Sequence, residues 1–180
     1  LYINLLRNTP PLVLLFLVYF FAGSFFTEPM MRVESFVAQG PEWLRHIFAV
    51  LVAPEGQLDR MLAAVLTLGL YSGAYVAEIV RAGLESVPRE QYEAAASQGF
   101  SSWQRFRYII SPQAFRLMLP PLVGQTITTF KETTLASIIS LPELTFQSLE
   151  VMAVTRMTFE LWLATAALYL SLSYIWSLLG

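Results

Sequence analysis

Cysteine is absent from the 180-residue sequence, which removes disulfide frameworks, thiolate metal sites and cysteine nucleophiles at once. His46 is the single histidine, so a multi-histidine metal centre is excluded, and no paired nucleophile and base supports an intramembrane enzyme. Charge is scarce as well. Only 13% of the residues are Asp, Glu, Lys or Arg, against about 25% in a soluble domain. The formal net charge is −2 and no Lys/Arg run occurs, which argues against nucleic acid as a partner. A GxxxxGK[ST] phosphate loop is missing, so this chain does not bind ATP by the usual route. There is no internal repeat, no low-complexity tract and no charged n-region with a small-residue cleavage site. The sequence starts at Leu1 without a methionine, and the expectation is a longer polypeptide with a further spanning segment ahead of it.

What is present is apolar. Hydrophobic residues make up 56% of the sequence, and the mean hydropathy is +0.55. So much greasy surface with so few charges points to a bilayer. A bilayer core needs roughly 20 apolar residues in helical form, with about 17 as the lower limit, and four segments approach that. Pro10 to Phe26 carries no charge, and its two leading prolines suit a first helical turn. Met61 to Arg81 is uncharged until Glu78. Leu117 to Leu141 is interrupted by Pro120-Pro121 near its start and by Lys131-Glu132 in its middle. Leu161 to Gly180 is uncharged and rich in Leu, Ala, Ser and aromatics. These runs are too long and too continuously apolar for barrel strands, and lipid admits only helices or closed barrels. The fold class expected is an all-α membrane protein, one helical bundle over 1–180.

Loop charges set the orientation, because positive residues gather on the cytoplasmic side. Arg89, Arg105, Arg107 and Arg116 lie between the second and third segments. Arg32, Arg45 and Arg60 lie between the first and second, outnumbered by Glu28, Glu34, Glu42, Glu55 and Asp59. The 86–112 loop is therefore expected inside and the 27–60 stretch outside, with Arg7 and the C-terminal end inside. In the outer stretch Phe36, Trp43, Ile47, Phe48 and Leu51 form one apolar face of a short helix lying on the bilayer.

The inner loop is patterned as two short helices at a sharp bend. Pro88 and Glu90 suit a helix start, Gly99 suits a C-terminal cap with positive φ, and Ser101 with Gln104 reads as a capping box. Pro112 is expected to end or kink the second helix. The first helix presents a face of alanines, which lets another surface approach closely. Trp103, Phe106 and Ile110 share one face of the second and are expected to anchor the loop to the bundle. On periodicity alone, an alanine-rich loop helix carries no function.

The spacing of fixed residues changes that. Glu93-Ala94-Ala95, three residues, Gly99, nine residues, Ile109, two residues and Pro112 together resemble the EAA loop of binding-protein-dependent ABC importer permeases. The 72–81 run (Ser-Gly-Ala-Tyr-Val-Ala-Glu-Ile-Val-Arg), Ser86-Val87-Pro88, Pro112-Gln113-Ala114, Pro120-Pro121, 131–135 (Lys-Glu-Thr-Thr-Leu), Pro142-Glu143-Leu144 and the opening 6–12 (Leu-Arg-Asn-Thr-Pro-Pro-Leu) resemble the polar amino-acid uptake members. The likeness covers nearly the whole chain except 27–60. Ser111 departs from the usual Leu, and Ser140 stands where Gly is common. The resemblance implies a type I importer permease bundle, with about four spanning helices here and five in the full-length chain. It implies that the bend around Glu93–Gly99 is a coupling helix seated in a separate cytoplasmic ATPase, which binds the ATP and magnesium. It also implies a second permease subunit, identical or homologous, an extracytoplasmic solute-binding protein, and a multi-pass place in the bacterial cytoplasmic membrane. Closure of the ATPase dimer would move the permease bundles as rigid bodies, giving alternating access.

The substrate path is read from charge. Lys131 falls about ten residues, or roughly 15 Å, into the third segment, where a charge normally faces a bundle interior, a cavity or a partner. Lys131 and Glu132 point about 100° apart, with Thr128, Thr129, Thr133 and Thr134 around them and Gln125 below. This set offers one partner to each end of an amino acid. A structural ion pair to another helix or to the second subunit explains the same residues equally well. Glu78 pairs more naturally with Arg81, three residues on, and Tyr71 and Tyr75 read as packing residues. The competing classes are an ion-coupled secondary transporter, which would usually need inverted repeats and more helices, and a non-transporting membrane scaffold, which leaves the loop pattern unexplained.

Overall fold

Prolines set where the first long helix begins. Helix α1 (Tyr2–Arg7) ends just before Pro10, which takes the N-cap position of α2 (Pro11–Ala38) with φ −56° and ψ 136°. Pro11 then occupies the first helical position, where its missing N–H costs nothing. The computed structural model describes residues 2–54 and 56–179. Leu1, Glu55 of the outer stretch and Gly180 at the end of the fourth apolar run lie outside the described residues. Helix α2 outruns the predicted Pro10–Phe26 segment. It is two arms, Pro11–Phe21 and Phe25–Ala38, meeting at 72°. Helix α3 (Glu42–Leu51) is a short helix where the sequence placed one, although Phe36, assigned to it from the sequence, belongs to α2.

Helix α4 (Leu58–Glu85) is the centre of the assembly, packing against α1, α2 and α7 (Ser111–Glu132). At 1.5 Å per residue its 28 residues span about 42 Å, more than a bilayer core. It can be central because one side is thin. Ala63, Thr67, Tyr71 and Ala74 recur at helical spacing and are all buried, and Gly83 meets α7 with no side chain of its own. A Cβ at Gly83 would fall within the Met118 side chain. Leu15, Ala63, Ala64, Ile139 and Leu141 form one core cluster, and Leu6, Leu14, Tyr71 and Ala74 a second. A third joins Val87, Ile110, Ala114 and Met118 with Leu84 and Tyr92.

The outer surface is the inverse of a soluble protein's. On α9 (Thr158–Leu179) the buried residues are Thr165 and Ser173, whereas Leu163, Leu170, Tyr174 and Trp176 are exposed by half or more. Ser148 on α8 (Leu144–Thr155) and Thr165 share a 2.7 Å hydroxyl bond, the polar contact that holds helices together where lipid offers no hydrophobic drive. By length and composition α4 and α9 are long and apolar enough to cross a membrane among the described residues, and α2 makes a third if its bent arms are one span.

Two sequence expectations are corrected here. The Leu117–Leu141 segment is not one helix. Helix α7 stops at Glu132, a 3-10 turn runs over Thr133–Ile139, and Ser140 closes it in the left-handed region at φ 57°. Four hydroxyl residues among Thr128, Thr129, Thr133, Thr134 and Ser137 bond back to carbonyls three or four residues behind (Thr134 being the exception), a pattern that loosens an α-helix. Helix α8 was also missed. Its start is nonetheless marked, because the Glu143 carboxylate accepts from the N–H groups of Thr145 and Phe146 at 2.8 Å.

Gly83→Val should wedge α4 from α7 and destabilise the fold by about 1–3 kcal/mol. A lower thermal midpoint of the detergent-solubilised protein checks this, and an unaltered midpoint would mean that Met118 yields freely.

Candidate functional site

The 86–112 loop folds as an elbow whose corner is held by local bonds. Helix α5 (Arg89–Ser97) follows Pro88, which stands at the N-cap rather than in the first turn, and Glu90 lies in that turn as expected. At the other end Gly99 adopts φ +81°. Its N–H donates to the Ala96 carbonyl at 3.0 Å, and the Phe100 N–H donates to the Ala95 carbonyl at 3.1 Å. These two bonds are a Schellman cap, which needs a left-handed residue at the glycine position. Two residues on, the Gln104 N–H donates to Ser101 Oγ at 3.3 Å, and the Ser101 N–H donates to Gln104 Oε1 at 2.9 Å. The predicted capping box is thus formed and starts α6 (Ser102–Arg105).

The second arm is not short, as the sequence suggested. Helix α6 passes through a π-helical segment, Phe106–Ile110, straight into α7. The wider turn takes in Pro112 without a break, and Gln113 Nε2 donates to the Ile109 carbonyl at 2.9 Å. Anchoring also differs from expectation. Ile110 is buried, but Trp103 is 69% exposed and Phe106, stacked on it, is exposed too. The elbow is instead fixed to α4 and α7 by Val87, Ala95, Tyr92 and Ile110, with the Tyr92 hydroxyl 3.4 Å from the Leu84 carbonyl. Glu93, Ala94, Ala96 and Gly99 face outward, Ile109 is half-buried and Pro112 exposed. Among the described residues Glu93 has no ion-pair partner within the chain.

At the far end of α7 the predicted polar residues separate into two stripes. Gln125, Thr129 and Glu132, at helical spacing, are half-buried. Thr129 Oγ1 lies 2.8 Å from Ser72 Oγ on α4, and Gln125 Nε2 donates to Thr129 at 3.3 Å. One carboxylate oxygen of Glu132 is buried without a hydrogen-bond partner. Thr128 and Lys131 form the other stripe and are exposed. No ion pair joins Lys131 to Glu132 among the described residues, in keeping with their divergent directions. Thr133 donates to the Phe130 carbonyl at 2.7 Å, and the Thr134 carbonyl accepts from Ser137 at 2.7 Å. Lys131 therefore belongs to the last turn of α7, where the helix dipole favours a cation, and not to the middle of a continuous helix. Ser72 is the residue of this cluster that the sequence did not single out; it lies on the same face of α4 as Gly83, eleven residues on, and that face meets α7.

Glu78 pairs with Arg81 as expected, and Arg81 also reaches Glu85 at 2.6 Å. Arg7 joins the cluster unforeseen, 3.5 Å from Glu78 and with its guanidinium over the Tyr75 ring. Tyr71 and Tyr75 bond to each other, hydroxyl to hydroxyl, at 3.2 Å.

An inside-out helical bundle with a capped elbow at one end is an integral membrane domain. The chain belongs to the family described as binding-protein-dependent transport system inner membrane component, whose profile matches residues 1–179, and it is a transport permease subunit. It is 33% identical over 176 residues to the glutamine transport system permease protein GlnP of Escherichia coli (strain K12), covering 98% of this chain and 68% of that protein. It is 35% identical over 174 residues to the octopine transport system permease protein OccM of Rhizobium radiobacter, covering 97% of this chain and 63% of that one. The fold superposes on a solved structure, "Crystal structure of an amino acid ABC transporter with histidines", with a TM-score of 0.73 and 32% identity, over 99% of this chain and 70% of the other. The chain thus spans about two thirds of the length of these relatives.

Gly99→Ala forces a side chain into the left-handed region, at a cost of about 1–2 kcal/mol. Amide exchange at residues 99 and 100 should rise while exchange across α4 stays unchanged; equal protection in both proteins would remove the glycine's special role.

Proposed function

We propose that this chain is the membrane-spanning half of an ATP-driven importer of amino acids, working in a bacterial cytoplasmic membrane. The support is the family match along the chain, together with relatives and a solved neighbour named for amino-acid transport. The elbow carries the mechanical part of the reading. In it, α5 offers Glu93, Ala94 and the Gly99 corner outward to a cytoplasmic ATPase subunit, while Ile109 and Pro112 sit where the second arm runs into α7. The ATPase subunit binds ATP and magnesium, and Glu93 pairs with one of its cations. A second permease, identical or homologous, and an extracytoplasmic solute-binding protein complete the system. The elbow lies inside, and the 27–60 stretch outside.

A push on α5 reaches α7 through Val87, Ile110, Ala114 and Met118, which form one packed cluster. The far end of α7 holds the proposed substrate path: Gln125, Thr128, Lys131, Glu132, Thr133 and Thr134. Glu132 offers a carboxylate to an ammonium group and Lys131 an ammonium to a carboxylate. Because the two point apart, each stays available to a ligand or to a neighbouring subunit.

Two outcomes are expected in vesicles containing the whole complex. Gly99→Asp or Glu93→Ala should leave membrane insertion intact but uncouple ATP hydrolysis from uptake; uptake that matches the wild type would remove the coupling role. Lys131→Ala or Glu132→Ala should raise the half-saturating substrate concentration or shift selectivity. Wild-type kinetics in both variants, for every amino acid tried, would assign the pair to packing.

A further inference from the structure

The outer arm of α2 and helix α3 leave an apolar surface that none of the described residues covers. On α3 the residues Trp43, Ile47, Val50 and Leu51 are 64%, 50%, 74% and 75% exposed. Their positions fall within an arc of about 100° at 100° per residue. Glu42 and His46 are exposed on a different side. The inner side is already committed: Leu44 and Phe48 are half-buried, and Arg45 and Phe48 line a hollow of 330 Å³ against Glu34 and Met31 of α2. Gly40 sets this orientation, since its N–H closes on the Val37 carbonyl at 3.0 Å and a Cβ there would stand 2.8 Å from Leu44. The helix is thus pinned by one face and bare on the other.

We propose that α3, with the outer arm of α2, lies in the plane of the bilayer interface and that lipid acyl chains cover the Trp43–Leu51 stripe. Continuity argues for lipid over protein. The helix that leads into α3 is apolar outward as well, with Phe20, Phe21, Phe25 and Phe36 all exposed by more than half. The 72° bend in α2 turns its outer arm away from the direction of the inner one, as a helix leaving the bilayer core for its surface must turn. Six residues separate α3 from the start of α4 at Leu58, a helix long and apolar enough to span, so α3 is held on a short tether to the end of that helix. Tryptophan beside aliphatic residues, with charged neighbours on the far side, is the composition of an interfacial helix. The charges of this stretch are of both signs, so apolar burial and not an anionic headgroup drives the contact.

The arm is also tied to the span. The Glu34 carboxylate accepts from the Leu58 N–H at 2.9 Å, capping the first turn of α4. The interfacial platform and the central helix therefore move together, and lipid contact at α3 helps to fix how deep α4 sits.

The absence of cysteine makes the test direct. Ile47→Cys, Val50→Cys, Glu42→Cys and His46→Cys are spin-labelled singly in the assembled complex, in phosphatidylethanolamine–phosphatidylglycerol liposomes. Collision with oxygen is then compared with collision with a water-soluble nickel chelate. Labels at 47 and 50 should favour oxygen several-fold, and labels at 42 and 46 should favour nickel. Nickel preference at all four sites would put the stripe in water and overturn the proposal. Protection of 47 and 50 from both reagents would also overturn it, by showing a protein partner on the stripe. As a check independent of labelling, Trp43→Phe should lower the quenching of tryptophan fluorescence by brominated lipid.

Discussion

The close approach of α4 to its neighbours is the constraint on which the rest depends. In lipid, apolar side chains gain nothing from leaving the solvent, so helices associate through shape and polar bonds. Helix α4 supplies the shape with Ala63, Ala64, Ala74 and Gly83, and the polar bond with Ser72 to Thr129. The alanines admit α1, α2 and the 3-10 segment, whereas a larger residue at Gly83 would hold α7 away, and the elbow, the third core cluster and the half-buried Glu132 all depend on where α7 lies. The exposed aromatic and aliphatic surface of α2 and α9 follows from the same logic, because those residues have a solvent that accepts them.

The elbow and the polar stripe sit at opposite ends of one continuous helical rod. From Ser102 through the π segment to Glu132 the backbone is helical without interruption, a length of roughly 45 Å at helical rise. The π turn is one irregularity and Pro120-Pro121, which lack N–H donors inside α7, are another; π turns occur mostly at functional places. Here the π turn does a specific job. Pro112 cannot donate to a preceding carbonyl, and a plain α-helix would kink there. The wider turn lets the rod pass, with the Gln113 side chain bonding the Ile109 carbonyl. The helix thus continues past Pro112 without a break, which is what the proposed force path needs there.

Much of this was legible in the residues, and the failures are instructive. Gly99, Ser101 and Gln104 announced their caps because capping chemistry is local and each motif fixes its own bonds. The spans were visible as apolar runs for the same reason. The end of α7 was not, because hydropathy counts composition and ignores that successive threonines return bonds to their own backbone. The role given to Trp103 and Phe106 failed differently. Periodicity finds a shared face but not what the face meets, and in a membrane protein exposed aromatics are stable outside the bundle. Arg7 near Glu78 lay beyond local reasoning, since 71 positions separate the two and only the packing of α1 on α4 joins them.

Ser140 shows how a departure from a family habit acquires a physical meaning. The position reads as glycine by resemblance, and the backbone explains why: at φ 57° it is left-handed, which costs a residue with a Cβ about 1–2 kcal/mol. Such strain persists only where the surroundings determine the conformation, and they do so from three sides. The Ser140 N–H donates to the Ser137 carbonyl at 2.9 Å, the Leu141 N–H donates to the Ala136 carbonyl at 3.1 Å, and Arg60 at the start of α4 donates to the Ser140 carbonyl at 3.2 Å. Ala136, Ile139 and Leu141 are buried against Leu15 and Ala63 in the same place. The turn that ends the 3-10 segment after Glu132 is therefore locked to the start of the central helix at Arg60, two residues from Leu58, which Glu34 caps. Both ends of the proposed substrate path, the polar stripe of α7 and the turn beyond it, are thereby referenced to one helix.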